Sequence, residues 1–333
     1  MKTLYLYKEE WEKDYINEKL GAMSLEYRDS IENTPEEILK EIEVISVFVS
    51  HSIKKEDLDK MPNLKLIATR STGYDHVDVV EARSRGIEVV YVPAYGDNTV
   101  AEFAFALLLS LARKIPEAHE QVTETGSFSQ TNFKGFDLKG KTIGVVGTGK
   151  IGTNSIKIAK GFGMNVLAYD PFPKDGLQEE LGFKYVGFEE LLSSSDIITL
   201  HALLNDSTKH MINNESIKHI KKGAILINSA RGGLVETNAL VKALEEGILK
   251  GAGLDVLEEE GYQDDELKLL TQPHPELEAL KITLSNHYLI DHPRVIITPH
   301  IAFDTDEAVK RILDTTAENI ISFSKGEVVN KVP

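Results

Sequence analysis

Cysteine is absent from the 333 residues. That removes disulfides, thiolate metal sites and cysteine nucleophiles, and it agrees with a reducing compartment. Cationic residues are outnumbered: 37 Lys and Arg stand against 53 Asp and Glu, a formal net charge of −16. Such a surplus of carboxylates repels nucleic acid and anionic lipid, so neither is expected as a partner. Long apolar runs are missing as well. The most apolar stretch, Phe103 to Ala112, is half the roughly 20 residues of a membrane span. Met1 to Tyr7 runs straight into Lys8-Glu9-Glu10, without a signal-peptide pattern. The histidines show no paired ligand spacing, so no metal is expected. A cytoplasmic protein is the expectation. The 41% hydrophobic content suffices for a sizeable core, and the length suits two domains.

Short apolar runs alternate with helical patterns. Val44–Val49, Leu64–Ala68, Ile87–Val92, Thr142–Val146, Asn165–Tyr169, Ile197–Leu200, Ala224–Ile227 and Val295–Ile297 read as strands. Lys150–Phe162, Glu189–Ser193, Leu234–Glu245 and the apolar run Val100–Arg113 read as helices. This alternation predicts an α/β protein with doubly wound parallel sheets. Glu258 to Asp291 is acidic and weakly periodic and reads as an extended insertion, its histidines in a solvated loop. The pattern Thr305–Phe323 suits a helix that returns to the first domain and makes that domain discontinuous.

The sharpest local signal is Gly147-Thr148-Gly149-Lys150-Ile151-Gly152, a G-x-G-x-x-G between a strand and a helix. Gly147 permits a tight turn, Gly149 lets a pyrophosphate approach the backbone, and Gly152 lets helix and strand pack closely. The helix N-terminus at Lys150 and Ile151 offers free amides to phosphate. Asp170 ends the next strand, eighteen residues past Gly152. A carboxylate there accepts from ribose hydroxyls and repels a 2′-phosphate, which predicts NAD rather than NADP.

Three further segments follow strands. Asn228-Ser229-Ala230-Arg231-Gly232 places a guanidinium among small residues, suited to a carboxylate. Leu254-Asp255-Val256 runs into Glu258-Glu259-Glu260, and Thr298-Pro299-His300 follows the last strand. Singly, each is an ordinary surface turn, acidic patch or histidine. Jointly they form a proton donor, a carboxylate to orient it and a cation to clamp an anionic substrate, which is what reduction of a 2-oxo acid requires.

These motifs resemble those of the D-isomer-specific 2-hydroxyacid dehydrogenases, over essentially the whole chain and most closely the D-lactate dehydrogenase branch. The resemblance implies a Rossmann NAD-binding domain, residues 99–298, inserted in a smaller flavodoxin-like substrate domain, residues 1–98 and 299–333. It makes Arg231 the carboxylate clamp, His300 the general acid/base and Glu260 its partner, since the family glutamate lies five residues past the aspartate. Asp255, Ser229 and Ala230 then lie beside the nicotinamide, and Ala202, Leu203 and Thr208 line the cofactor path. Arg70-Ser71-Thr72-Gly73-Tyr74-Asp75 resembles the substrate-binding loop, with the Thr72 and Gly73 amides on the substrate carboxylate. The alternative there is a glycine turn with Arg70 paired to Asp75 or Asp78. Tyr95 resembles a substrate-facing tyrosine of lactate-type members. A homodimer built on the cofactor domains is implied as well.

Gly261-Tyr262 after Glu260, and the forty positions from Glu260 to His300, favour the lactate-type branch and pyruvate as substrate. Asp304 departs from it, standing where lactate enzymes carry a tyrosine. Leu203 and Phe103 depart too, at positions usually held by proline and histidine. The alternatives are a glyoxylate/hydroxypyruvate or broad 2-oxo-acid reductase, and an NAD-sensing corepressor-like binding protein, for which the chain has no basic arm.

Overall fold

The computed structural model describes residues 1–258 and 277–333. Their contacts divide the chain into two compact units, Met1–Tyr95 with Asp304–Pro333, and Gly96–Phe303.

The first unit carries strands β1 (Lys2–Leu6), β2 (Ser24–Arg28), β3 (Val44–Val47), β4 (Leu66–Thr69) and β5 (Glu88–Val90). They pair in parallel in the order β2-β1-β3-β4-β5, the flavodoxin-type doubly wound arrangement. Every residue of β3 and β4 is buried, which is why both read as unbroken apolar runs. The helix Asp306–Ser324 opens on Thr305, whose hydroxyl accepts from the Ala308 amide at 3.2 Å. Its Leu313, Ala317 and Ile320 pack with Tyr5, Val44 and Leu66, so the C-terminal helix belongs to this sheet.

The second unit carries β6 (Thr142–Val146), β7 (Asn165–Tyr169), β8 (Lys184–Tyr185), β9 (Ile197–Leu200), β10 (Ala224–Asn228), β11 (Leu249–Leu254) and β12 (Val295–Ile297). The order is β12-β11-β10-β9-β6-β7-β8, all parallel, so the winding reverses at β6, the Rossmann pattern. Successive side chains of β6 enter cores on opposite faces, Val145 with the helix Thr99–Arg113 and Val146 with the helix Thr237–Glu245.

Three of the strands, β1, β2 and β8, carry no signal in the sequence, and β11 is legible only at its end, before Asp255. β11, Leu-Lys-Gly-Ala-Gly-Leu, is interrupted by two glycines. Each is required by crowding: a Cβ on Gly251 would lie 2.7 Å from the Arg294 carbonyl oxygen, and one on Gly253 3.0 Å from Leu107. The insertion read over Glu258–Asp291 is corrected in its second half, which forms the helix Leu277–Ile290. Ala279, Ile282 and Leu289 are buried while Leu277 and Leu284 are exposed, so apolar residues on both faces flatten the periodicity. His292 is likewise buried rather than solvated, and burial pushes its pKa down. Among the described residues no helix is long and apolar enough to cross a membrane.

Candidate active site

One row of register partners crosses the second sheet: Tyr169, Val146, Leu200, Asn228, Leu254 and Ile297. The residues that follow them, Asp170, Gly147, His201, Ser229, Asp255 and Thr298, therefore emerge along a single carboxyl edge. That edge is where open parallel sheets hold ligands.

At the β6 end the backbone is shaped for a nucleotide. Gly147 has φ +92°, and a Cβ on it would lie 2.8 Å from the His201 carbonyl oxygen. On Gly152 a Cβ would lie 1.9 Å from the Gly147 oxygen, so helix and turn meet only because both residues are glycine. Around Gly149 the space is open. The first bond of the following helix is Thr153 N to Gly149 O, 2.9 Å, which leaves the Lys150, Ile151 and Gly152 amides ahead of it. Asp170 is held from three directions, by the Thr148 amide (2.7 Å) and hydroxyl (2.9 Å) on Oδ2 and the Phe172 amide (2.9 Å) on Oδ1. Thr208 closes the turn after β9, donating to the Leu203 carbonyl and accepting from the Asn205 amide at 2.9 Å. Ala202 is half-buried and Leu203 exposed. Ser229 Oγ is buried without a hydrogen-bond partner among the described residues. An open glycine cradle and an orphaned hydroxyl on the same edge fit a dinucleotide.

At the other end, Asn228 shapes the arginine turn. Its side chain accepts from the Ala230 amide (3.1 Å) and donates to the Arg231 carbonyl (2.9 Å), so Arg231 leaves β10 in fixed, extended backbone. A Cβ on Gly232 would lie 1.8 Å from the Leu257 oxygen, where the strand-end segment after β11 passes. His300 has φ +53°, a left-handed conformation uncommon outside glycine. Asp255 explains how it is held. Fully buried, its carboxylate accepts from Thr298 Oγ1 (2.6 Å) and the amides of Ile301 (2.9 Å) and Ala302 (2.8 Å). Its own carbonyl accepts from the His300 amide at 2.9 Å. Both carboxylate oxygens are thus engaged by the histidine turn. Burial pushes the Asp255 pKa up, against the pull of these bonds. Glu260 lies outside the described residues. Glu258, which reads as solvated, is instead drawn inward: it pairs with His210 and accepts from Thr237 Oγ1 at 2.9 Å.

In the first unit, Arg70 is buried and pairs with Glu12, donates to Tyr5 Oη at 2.6 Å and donates to the Leu6 carbonyl. It is not the partner of Asp75 or Asp78, and Asp78 caps the helix Val79–Ser84 instead. The loop that follows is tied internally, Ser71 Oγ to Gly73 O (2.6 Å) and Thr72 Oγ1 to Val92 O (2.8 Å). With both hydroxyls engaged, the donors this loop offers an anion are backbone amides. The Tyr95 carbonyl accepts from Arg311 at 2.8 Å, and Asp304 pairs with Lys8 at 3.4 Å.

The model of the D-isomer specific 2-hydroxyacid dehydrogenase NAD binding domain matches residues 105–302. A glyoxylate reductase of Thermococcus litoralis is 41% identical over 299 residues, 88% of this chain and 83% of its own. The D-lactate dehydrogenase of Aquifex aeolicus, solved with NAD and lactic acid, is 37% identical and superposes with a TM-score of 0.87, covering 98% of this chain and 96% of that one. A pyruvate reductase of Chlamydomonas reinhardtii is 35% identical, with a TM-score of 0.85 over 98% and 96% of the two chains. The family model spans the stretch that carries the nucleotide cradle and the arginine and histidine turns, and this chain belongs to the NAD-dependent D-isomer-specific 2-hydroxyacid dehydrogenases.

Proposed function

We propose that the chain reduces a 2-oxo acid, pyruvate preferred, to the D-2-hydroxy acid. The shared strand-end row carries this proposal, since it gathers the nucleotide cradle, Arg231 and the braced His300 turn on one edge. When bound, NADH supplies the hydride received by the carbonyl carbon. Arg231 pairs its planar guanidinium with the substrate carboxylate. His300 gives a proton to the carbonyl oxygen. Glu260 orients His300, an assignment that rests on motif spacing. Substrate binding by Thr72, Gly73 and Tyr95 is assigned to the first unit on the same ground.

Likeness to a D-lactate dehydrogenase and a pyruvate reductase supports pyruvate. The 41% identity to a glyoxylate reductase favours a second reading, glyoxylate or hydroxypyruvate as the preferred substrate. A homodimer built on the second unit is part of the proposal. The helix Ile115–Thr125 there has no buried residue, and Ile115 (54%), Val122 (37%) and Phe128 (86%) are exposed.

Steady-state NADH oxidation with pyruvate, glyoxylate and hydroxypyruvate decides the substrate. The highest kcat/KM is expected for pyruvate; a higher value for another acid moves the assignment to it. His300→Gln is expected to lower kcat about a hundredfold or more with the Kd for NADH unchanged. Undiminished turnover removes His300 from the mechanism.

A further inference from the structure

We infer that Thr148 and Tyr185 set the preference for NAD over NADP by pinning Asp170, a role that rests on Asp170 being the ribose-binding carboxylate. An ionised carboxylate only accepts, so Thr148 Oγ1, 2.9 Å from Asp170 Oδ2, donates to it. That hydroxyl also lies 2.9 Å from Tyr185 Oη. Having given its hydrogen to Asp170, Thr148 accepts from the phenol. Tyr185 Oη in turn accepts from the Lys174 amide at 3.4 Å. The donors run in one direction, Lys174 to Tyr185 to Thr148 to Asp170, and each polarises the next.

The chain is rigid because of where its members sit. Thr148 is fully buried in the x position of the glycine turn. Tyr185 lies on the edge strand β8, in register with Ala168, and its ring packs edge-on to Phe183 with centroids 4.8 Å apart. Oδ2 thus holds both the Thr148 amide and hydroxyl, while Oδ1 carries only the Phe172 amide and keeps a lone pair for a ribose hydroxyl. A carboxylate so fixed cannot swing away from a 2′-phosphate, and Pro171 and Phe172 beside it supply no cation to offset the repulsion. Released from the hydroxyl, Asp170 can rotate aside, and discrimination falls.

Calorimetric titration of NADH and NADPH into Asp170→Asn, Thr148→Val, Thr148→Ser, Tyr185→Phe and the parent protein, without substrate, tests this. The quantity read is the ratio of Kd for NADPH to Kd for NADH. Thr148→Val is expected to lower it about five- to tenfold, less than the full loss of a hydrogen bond to a charged group because the Thr148 and Phe172 amides still hold the carboxylate. Tyr185→Phe lowers it about two- to threefold, and Thr148→Ser, which keeps the hydroxyl, stays within about twofold of the parent. If Asp170→Asn collapses the ratio while Thr148→Val and Tyr185→Phe leave it unchanged, the pinning role is overturned and the ribose role of Asp170 stands. An unchanged ratio in Asp170→Asn overturns both. Equal loss in Thr148→Ser and Thr148→Val also overturns the proposal, because the hydroxyl is then not the agent.

Discussion

At the scale of single residues, Asp255 stands out because its charge is consumed inside the protein. The buried carboxylate ties down Thr298, Ile301 and Ala302, and so holds the turn on which His300 adopts φ +53°. Asp255→Asn keeps the shape but replaces an acceptor oxygen by a donor, which faces either the Ala302 amide or the Thr298 and Ile301 donors. Leaving such groups unpaired costs about 1–3 kcal/mol each. We expect a destabilisation of about 2–4 kcal/mol in urea unfolding, with a lower kcat and nearly unchanged affinity for NADH. A variant as stable and active as the parent sinks the positioning role. His300 and Arg231 were legible in the sequence because each stands in a short motif after a strand. Asn228, which folds the arginine turn, and Tyr185, on a two-residue edge strand, belong to no spacing rule. Thr148 was hidden in plain view, since the x of G-x-G-x-x-G reads as filler.

At the scale of elements, the strands legible in the sequence are the short apolar runs, of which β3, β4, β9 and β10 are buried at every residue. β6, β7, β9 and β12 match their expected bounds, whereas the polar β2 carries no signal and the glycine-bearing β11 shows only its end. Local patterning sees side chains, and these strands are specified by what neighbouring backbone demands. The end of β9 carries a consequence for acid stability. His201 Nε2 lies 2.9 Å from Ser155 Oγ and 3.0 Å from Thr199 Oγ1, and burial pushes its pKa from 6.5 down to about 4. The folded state therefore binds this proton less readily than the unfolded chain. The stabilisation from the neutral ring is fully present above pH 6.5 and is lost as the pH falls from there to about 4. Its limit is about 3 kcal/mol. Thermal unfolding followed at pH 7 and pH 4.5 should show a smaller acid loss in His201→Gln than in the parent. Equal losses show that this histidine does not contribute.

At the scale of the molecule, the net charge of −16 acts against the proposed dimer. Two copies repel, so their association has to come from apolar area, and the exposed side chains of the helix Ile115–Thr125 together with Phe128 are one place where the second unit offers it. In the sequence the dimer is implied by resemblance alone, because exposure is invisible in a pattern. Ile115 and Val122 sit seven residues apart, a spacing equally suited to a core-facing stripe. Two consequences separate the apolar account from an ionic one. Salt screens the mutual repulsion over a Debye length of about 8 Å at physiological strength, so raising it should tighten the dimer rather than loosen it. Val122→Glu combined with Phe128→Asp should shift light-scattering mass from two chains to one at micromolar concentration, with unfolding of the monomer still cooperative. A dimer that persists in the double variant, or one that dissociates as salt is added, places the interface elsewhere.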